Sequence, residues 1–464
     1  MHLDNGTLTR VTIKKERISG KVLSVTDTYI EIEGYGQIPL SPSFHVYKTY
    51  GEFAVLGAGD ILVGYDLQEF VAAEGELCAA LLEREFDART IRVLLMDTGF
   101  HSLFHAQADL TVNCAAALEY ENEKGEIVSS RLEAGENLSI LPGDERLAYG
   151  RITITPEQEE GITIRSIERS QGNPTYSGSL EIRQTGEGLT LVNDLYLEDY
   201  LEKVVPSEMP PSYEMEALKA QAVAARTYTL YKMQTGGNHG DTADICTDST
   251  CCQAYISEEN ARNNWGENAD AYEEKIETAV RETDGETILY GGVPILAVFH
   301  SCSAGQTRSS GQVWVSDLPY LQAVSSPEPA DSIPNYYSRV EFTAEEFREK
   351  VLASYPEADL SGDISGWLQN AVTDTAGSVE SVDVGGVSMK GSTLRSVLGL
   401  RSACFEWEAA DGKLVFFVTG YGHGVGMSQY GANQMAKEGA DYRTILTHYY
   451  TGVTVEPYTT AAMG

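Results

Sequence analysis

The sequence predicts an α+β fold in which a strand-rich N-terminal module precedes a mixed α/β core that contains a long helix. Short segments of alternating apolar and polar residues dominate the chain up to residue 195, a pattern that favours β-strands. Strong helical patterns begin only after that point. A length of 464 residues with 42% hydrophobic content exceeds one typical domain. We therefore expect a small β-rich accessory domain over residues 1–88 and a larger domain over residues 89–459.

The predicted strands are short and are separated by turns rich in glycine and aspartate. They cover residues 11–15, 20–25, 29–33, 37–40, 91–95, 108–112, 150–155, 161–167, 179–183 and 294–299. We can assign no activity to the first 80 residues from this pattern.

The second half of the chain adds helices whose ends can be recognised. A helix over residues 197–205 should end at Pro206, because proline lacks the amide hydrogen that a helix interior needs. Ser212 is a suitable N-cap for a long amphipathic helix that Gly236 and Gly237 would end. Further helices are predicted after a capping box at Thr343 to Glu346, over residues 427–438 and over residues 442–449.

Acidic residues outnumber basic ones by 69 to 33, which gives a formal net charge of −36. A field of that sign repels nucleic acid and anionic lipids, so neither is an expected partner. The N-terminus does not look like an export signal, and no apolar run of about 18 residues predicts a membrane helix. The seven cysteines are irregularly spaced, which argues against a disulfide framework and leaves room for a metal site.

Glu208 is the acidic residue with the most restricted backbone. Pro206 precedes it, and Pro210 and Pro211 follow it. Its apolar neighbours would raise the pKa of the carboxyl group and keep it protonated near neutral pH. These properties suit a general acid, and the alternative is a glutamate that caps a turn.

A candidate metal site is formed by His239, Cys246 and Cys252, which lie within 14 residues of one another. One imidazole and two thiolates are ligands that zinc prefers, although the spacing is wider than in a zinc knuckle. Disulfides between Cys246 and either Cys251 or Cys252 are an alternative, and so are unmodified thiols.

Polar residues follow the predicted strand at residues 294–299, an edge where functional side chains often collect. They are His300, Ser301, Cys302 and Gln306. We interpret them as one wall of a ligand-binding cleft, with ordinary turn chemistry as the alternative. His300 or Cys302 is also a candidate for the fourth position at a metal.

The segment from Gly420 to Gln429 places four glycines around His423. It is not a dinucleotide-binding fingerprint, because Met427 replaces the third glycine, and it lacks the lysine of a phosphate-binding loop. The glycines would let the backbone approach a ligand closely while the imidazole points towards it. A histidine with a purely structural role is the alternative.

Several segments in order resemble the stage II sporulation protein D (SpoIID) family, with its relative, the amidase enhancer LytB. They are residues 91–95, 191–201, 200–228, 297–307, 420–432 and 442–450, so that the resemblance spans residues 90–457. The most specific is Tyr200-Leu-Glu-Lys-Val-Val-Pro-Ser-Glu-Met-Pro-Pro-Ser212. The chain departs from the usual family pattern at Cys302 and Ala304, where family members more often have serine or threonine and glycine.

The resemblance implies a lytic transglycosylase that cleaves the link between N-acetylmuramic acid and N-acetylglucosamine in peptidoglycan. Glu208 would be its single catalytic acid and base, with the long helix beside the active cleft of the domain over residues 89–459. The expected substrates are glycan strands without stem peptides, and the expected products carry 1,6-anhydro ends.

The resemblance also implies ligand roles and partners. Substrate-binding residues would be Arg226, Tyr228, His300, Ser301, Gln306, His423, Ser428 and Gln429. For Arg226, which could bind the lactyl carboxylate of muramic acid, a salt bridge to a structural acid is the alternative. One zinc, most simply structural, would bind His239, Cys246 and Cys252, with Cys251 as a spare thiol. A cell-wall amidase of the SpoIIP type would be the partner, in engulfment during sporulation. We expect an extracytoplasmic protein anchored by an N-terminal membrane helix that has been trimmed from this chain.

Two other functions remain open from the sequence. Cys302 with His423 or His300 could form a cysteine hydrolase, although no third orienting group is evident. The chain could also be a non-catalytic wall-binding protein that enhances an amidase, with a purely structural zinc.

Overall fold

The computed structural model describes residues 2–4, 7–10, 13–63, 65–83, 89–158, 161–170, 172–235, 239 and 242–458. It confirms the mixed α+β fold. The chain forms two compact units. The first takes the chain up to Glu208 and the segment Thr229–Glu277, and the second takes Met209–Tyr228 and Thr278–Pro457. The predicted domain boundary at residue 88 lies outside the described residues and stays a prediction.

The N-terminal module of the first unit is built from short strands. They are β1 (His2–Asp4), β2 (Thr7–Arg10), β3 (Glu16–Ser19), β4 (Val22–Val25), β5 (Tyr29–Ile32), β6 (Gly36–Pro39), β7 (Val46–Lys48), β8 (Ala54–Leu56), β9 (Gln68–Ala73) and β10 (Glu76–Leu82). A five-stranded sheet has the order β3-β9-β10-β7-β8, and a three-stranded sheet has the order β4-β5-β6. Their inward side chains, such as Ile30, Phe70 and Leu77, share one apolar core.

The predicted strand at residues 11–15 is wrong where the chain is described. Residues 13–15 have no regular structure, and residues 11 and 12 lie outside the described residues. The strand begins instead at Glu16, where Ile18 turns into the core against β9. Burial of alternate residues therefore decides the register here, rather than the apolar residues of the preceding segment.

The rest of the first unit contains a seven-stranded and a four-stranded sheet. Their strands are β11 (Thr90–Leu94), β12 (Ala108–Val112), β13 (Ala116–Glu121), β14 (Ile127–Leu132), β15 (Asn137–Ile140), β16 (Arg151–Pro156), β17 (Ile162–Ile164), β18 (Thr175–Tyr176), β19 (Ser179–Gln184), β20 (Leu189–Tyr196) and β21 (Ile245–Cys246). The orders are β14-β13-β16-β19-β20-β11-β21 and β15-β12-β17-β18. Alternating Val, Ile and Leu from both sheets form a shared core.

The first helix, α1 (Leu197–Glu208), continues directly from β20 and ends at Glu208. The prediction that Pro206 ends this helix is wrong, because Pro206 lies inside its last turn. The last carbonyl groups of a helix have no partners of their own, and here the Ser207 hydroxyl donates to the Lys203 carbonyl at 2.7 Å. The helix therefore carries Glu208 at its C-terminus.

The second helix, α2 (Met215–Thr235), differs from its prediction in two ways. The amides of Ala217 and Leu218 donate to the Glu214 carbonyl, so Glu214 rather than Ser212 precedes the helix. The helix is not amphipathic, since every residue from Ala220 to Leu230 is buried. Its many alanines let neighbouring elements pack closely on all sides. Gly236 and Gly237, expected to end it, lie outside the described residues.

Two helices follow in the chain, α3 (Glu258–Trp265) and α4 (Ala269–Arg281), and the second unit then combines four small sheets with short helices. Its strands are β22 (Glu286–Tyr290), β23 (Val293–Pro294), β24 (Phe299–His300), β25 (Tyr337–Thr343), β26 (Leu368–Thr373), β27 (Val379–Val384), β28 (Val387–Lys390), β29 (Phe405–Ala410), β30 (Lys413–Thr419), β31 (Met427–Ser428) and β32 (Thr454–Pro457). Its helices are α5 (Ser310–Val313), α6 (Ala344–Ser354), α7 (Gly391–Leu398), α8 (Gln429–Lys437) and α9 (Tyr442–Tyr449).

The parallel pair β24 and β31 brings together two segments that the sequence singled out, with His300 opposite Ser428. The predicted strand at residues 294–299 is wrong in its middle, because only its two ends are strands. The predicted helix at residues 427–438 begins later, at Gln429, because Met427 and Ser428 form β31 and Ser428 caps α8. The helix at Tyr442–Tyr449 and the capping box at Thr343 are confirmed.

Candidate functional site

Glu208 lies at the end of α1 and accepts one hydrogen bond from the described residues. The Ala254 amide donates to its Oε1 at 2.7 Å. Burial raises the pKa of the Glu208 carboxyl to about 7, and the Ala254 amide lowers it only in part. A carboxyl group with that pKa holds a proton near neutral pH and releases it readily, which is the requirement for a general acid that later acts as a base.

The segment that carries the Ala254 amide is held by its neighbours on both sides. The Gln253 side-chain oxygen accepts hydrogen bonds from the Tyr200 hydroxyl at 3.2 Å and the Thr229 hydroxyl at 3.0 Å. The Tyr255 ring stacks on Tyr200 at 5.3 Å between ring centroids. Since Tyr200 belongs to α1, these contacts fix the amide relative to the helix that ends at Glu208.

A second glutamate of the same helix, Glu202, is also partly shielded from solvent. The side chain is half-buried, and burial raises the pKa of its carboxyl group to about 7, with Lys203 acting in the opposite direction. A raised pKa therefore does not single out Glu208. The hydrogen bond from the Ala254 amide distinguishes the Glu208 carboxyl group from that of Glu202.

His239, Cys246 and Cys252 come together as predicted, and Cys251 joins them. The ligand atoms of all four residues lie within 4.8 Å of one another. His239 Nε2 lies 3.3 Å from Cys251 Sγ, which in turn lies 3.8 Å from Cys252 Sγ. Cys251, expected to be a spare thiol, therefore lies close enough to be a fourth candidate ligand. The described residues include all seven cysteines, and none forms a disulfide.

The four residues fit a zinc ion. With Zn–S bonds of about 2.3 Å, tetrahedral geometry places two sulfur ligands about 3.8 Å apart, as Cys251 and Cys252 are. A hydrogen bond from the Cys252 thiol is the main cause that lowers the pKa of Cys246, and the same bond raises the pKa of Cys252. A thiolate at Cys246 would be compensated by a cation bound in the cluster.

A cavity of about 500 Å³ opens in the first unit beside α1 and α3. Its lining combines aromatic rings, amides and hydroxyl groups, with Lys203 and Arg262 as the basic residues. The lining residues are Asn113, Thr175, Tyr176, Ser177, Lys203, Tyr255, Ser257, Glu258, Glu259, Arg262 and Asn263. Rings and hydrogen-bonding groups in one cavity suit a polar ligand with apolar faces, such as a sugar.

In the second unit, His300 and His423 have their ring centroids 5.5 Å apart. One His300 ring nitrogen, Nδ1, donates to the Val425 carbonyl at 3.2 Å, and the Val425 amide donates to His423 Nδ1 at 3.1 Å. Burial lowers the pKa of His300 to about 3 and that of His423 to about 4. Both imidazoles are therefore neutral at physiological pH. His300 Nε2 is buried and has no hydrogen-bond partner among the described residues.

Glu328, which was not predicted from the sequence, binds serines of the two segments that carry His300 and His423. Glu328 Oε1 accepts from the Ser303 amide at 3.0 Å and from the hydroxyls of Ser303, Ser326 and Ser428 at 2.6, 2.8 and 2.6 Å. These donors come from three separate segments of the chain. No sequence pattern joins those segments.

The other predicted substrate residues of the second unit have varied surroundings. Arg226 is 1% exposed, and its guanidinium donates to the carbonyls of Glu286 and Val280, which gives it a packing role in this structure. Tyr228 belongs to an apolar core. Buried Gln429 donates to Gln221, whereas half-buried Gln306 accepts from Thr375 at 3.1 Å. The Ser301 carbonyl accepts from the Tyr430 amide.

Comparison with known proteins now decides the family. Residues 185–290 match the SpoIID family model, described as stage II sporulation protein. Over 266 residues the chain is 38% identical to stage II sporulation protein D of Bacillus subtilis, an alignment that covers 57% of this chain and 75% of the relative. The chain belongs to the SpoIID family. The segment that matches the family model contains Glu208 and all four residues of the His/Cys cluster.

More distant relatives extend the SpoIID comparison. The amidase enhancer of Bacillus subtilis is 29% identical over 307 residues, which are 56% of this chain and 40% of the relative. An uncharacterized protein of Brachyspira hyodysenteriae is 28% identical over 387 residues, which are 79% of this chain and 93% of the relative. None of the helices in the described part of this SpoIID chain has the length and apolar character that crossing a bilayer requires.

Proposed function

We propose that this SpoIID-family protein is a lytic transglycosylase that acts in sporulation on peptidoglycan strands without stem peptides. The observation that carries the proposal is Glu208, a carboxyl group with a pKa of about 7 at the end of α1, fixed by the Ala254 amide. The names of the relatives, stage II sporulation protein D and amidase enhancer, support a role in sporulation and in the cell wall.

In the proposed reaction, Glu208 first donates its proton to the glycosidic oxygen that links muramic acid to the next sugar. The bond from C1 of muramic acid to that oxygen breaks. The Glu208 carboxylate then accepts the proton of the muramic 6-hydroxyl, whose oxygen forms the new bond to C1. The enzyme ends the cycle protonated as it began, and no water is consumed. One carboxyl group is sufficient, whereas ordinary glycosidases need two.

We propose that His239, Cys246, Cys251 and Cys252 hold one zinc ion. Bound there, zinc would supply structural cross-linking, because four protein ligands leave no open position for a substrate or water. Cys252 precedes Gln253 and Ala254, so fixing its thiol also fixes the start of the segment that carries the amide to Glu208. The cluster residues thus position Glu208 without contacting the substrate.

The location and partner follow from the proposed substrate. Peptidoglycan lies outside the cytoplasmic membrane, so we propose an extracytoplasmic protein. Strands without stem peptides require an amidase, which makes a cell-wall amidase of the SpoIIP type the proposed partner.

The test compares Glu208→Gln with Glu202→Gln, since both glutamates lie on α1 with similarly raised pKa values. Glu208→Gln should lose cleavage by roughly 10²–10⁴-fold while binding glycan normally. Glu202→Gln should keep cleavage within about threefold of the parent protein, because its carboxyl group has no role in this reaction. Equal losses in the two variants would contradict the assignment of Glu208.

A second candidate function, a non-catalytic enhancer of an amidase, is favoured by the identity to the amidase enhancer. Under that function, Glu208→Gln would stimulate an amidase as well as the parent protein does, and neither would shorten glycan strands. The cysteine hydrolase has less support, because burial and then Glu328 raise the pKa of Cys302 to about 11, which disfavours the thiolate.

A further inference from the structure

Several arginines of the second unit form no ion pair with the described residues, and two of them lie near the glycine-rich segment at residues 420–426. Acidic residues outnumber basic ones by 69 to 33. Arg308 is paired with Asp374 at 3.0 Å beside the glycine-rich segment at residues 420–426. Near the same segment, Arg395 and Arg401 form no ion pair with any described residue. Both side chains are half-buried, and a guanidinium with reduced access to water gains from a compensating charge, so an external anion is a fitting partner.

Arg401 is tied to the glycine-rich segment by its backbone and by its side chain. Its carbonyl accepts the Gly422 amide at 2.9 Å, and its guanidinium carbon lies 4.0 Å from the centroid of the Tyr421 ring. Its Nε is buried and makes no hydrogen bond with the described residues. Stacking fixes the plane of the guanidinium while leaving its edge able to donate two parallel hydrogen bonds to a carboxylate.

Arg395 lies in the last turn of α7 and donates from Nε to the Leu400 carbonyl at 3.2 Å. Burial lowers the pKa of its guanidinium, and its charge contributes to the low pKa values of His300 and His423. The neutral imidazoles therefore add no further positive charge. His300 Nε2, buried and without a partner among the described residues, is one more polar group to be satisfied near this segment.

Aromatic faces complete the surroundings of this segment. Tyr421 is 44% exposed, and the half-buried Trp314 ring lies 5.4 Å from His423 between centroids. Aromatic rings beside a carboxylate-binding guanidinium would suit a sugar that carries an acid. Muramic acid is such a sugar. In a strand without stem peptides its lactyl group ends in a carboxylate, whereas in a substituted strand that group is an uncharged amide.

We propose that Arg401, with Arg395 near the same glycine-rich segment, binds the lactyl carboxylate of a muramoyl residue and so makes the protein prefer strands without stem peptides. This inference rests on the proposed function and adds the residues that read its substrate. Arg226, the residue that the sequence favoured for this contact, is only 1% exposed and donates to backbone carbonyls. An amide leaves the guanidinium charge uncompensated, which is the basis of the discrimination.

The test measures binding by calorimetry in a Glu208→Gln background, so that strands stay intact. The probes are one preparation of peptide-free glycan oligomers with free lactyl carboxylates and the same oligomers with those groups converted to methylamides. The protein should bind the free acids roughly 10- to 100-fold more tightly. Arg401→Gln should abolish this preference while changing the affinity for the methylamides by no more than about threefold.

Two further variants keep the result interpretable. Arg339→Gln removes an exposed arginine that pairs with Glu341 on the surface of the same unit, and it should retain the full preference. Arg401→Lys keeps the charge without the planar fork, so it should retain only part of the preference even if Arg401→Gln fails to fold. Equal binding of acids and methylamides by the parent protein would overturn the inference, as would a full preference in Arg401→Lys. Failure of the parent enzyme to cleave glycan would instead count against the proposed function and leave the binding result standing.

Discussion

Glu208 in the first unit and Glu328 in the second are both half-buried, but their surroundings differ. Glu208 accepts one backbone amide, and burial raises its pKa to about 7. Glu328 Oε1 accepts four donors, three of them serine hydroxyls. Many converging donors fix an acceptor in place, whereas a single donor leaves a carboxyl group able to exchange a proton. The number and origin of the donors therefore separate a candidate catalytic acid from a structural one.

The largest expected effect comes from shortening the Glu208 side chain by one carbon, with the same change at Glu328 as the comparison. Glu208→Asp withdraws the carboxyl group from the glycosidic oxygen and from the Ala254 amide, and it should lose roughly 10²-fold in kcat. Glu328→Asp should lose no more than about threefold, because its role is to hold serines. Steady-state cleavage of peptide-free glycan measures both. Comparable losses would mean that the donor pattern does not distinguish the two acids.

The next effect concerns the metal. Cys251→Ser should bind zinc at least about tenfold more weakly, because the serine hydroxyl is a much poorer zinc ligand than a thiolate. Cys404→Ser, which removes a half-buried thiol of the second unit, should bind one zinc per chain as tightly as the parent. Competition with a chromogenic chelator gives the affinities. Full affinity in Cys251→Ser would return Cys251 to the role of a spare thiol.

Loss of the metal should also change the chemistry of Glu208. The Ala254 amide lowers the pKa of Glu208, so a displaced segment should move the alkaline limb of the kcat/KM profile upward in the zinc-depleted protein. No comparable change should follow from Cys404→Ser. An unchanged profile in zinc-depleted protein would separate the cluster from the positioning of Glu208.

Removing the acceptor at Glu328 should affect stability rather than catalysis. Glu328→Ala leaves three serine hydroxyls without their partner, and unsatisfied buried groups cost about 1–3 kcal/mol in the free energy of unfolding. Glu328→Gln retains a carbonyl oxygen and should cost less. Denaturant titration followed by fluorescence measures the difference. A stable Glu328→Ala variant with no activity would instead make Glu328 a member of the catalytic machinery.

A further effect is the pH dependence that the raised pKa of Glu208 produces. Its pKa is raised from the ordinary value of 4.5 to about 7, so its contribution to stability is present below pH 4.5 and is lost as pH rises through 7. The unfolding temperature of the parent protein should therefore fall relative to Glu208→Gln across this window. The parallel contribution of Glu202 cancels in that comparison. The value of kcat/KM should decline about tenfold per pH unit above 7, since the acid must be protonated.

Local patterns predicted the parts of the site that short segments determine. Prolines marked Glu208, and ligand chemistry marked His239, Cys246 and Cys252. Cys251 was set apart as a spare thiol because the family resemblance favoured Cys252, the cysteine just before Gln253, as the ligand. In the fold, the amides of both Cys251 and Cys252 donate to the Asp248 carbonyl, and this turn directs both thiols into the cluster.

Long-range contacts explain the features of the structure that the sequence did not predict. The donors to Glu328 come from residues 303, 326 and 428, which only the folded second unit brings together. The surroundings of α2 were also unpredictable from its own sequence, because alanine packs equally well on one face or on all of them. Arg226 on this helix is an example. Its position in the family motif favoured a ligand-binding role, whereas its burial favours a packing role.

The products of digestion in heavy-oxygen water test the central claim most directly. With Glu208 as the single acid and base, the muramic 6-hydroxyl is the nucleophile, so the new ends should be 1,6-anhydro-muramic acid without solvent oxygen. Mass spectrometry of digested peptide-free strands distinguishes these ends from reducing ends by the mass of one water. Unlabelled anhydro ends are the predicted result. Reducing ends that carry the heavy isotope would show that water attacks C1, and the single-carboxyl mechanism would be wrong.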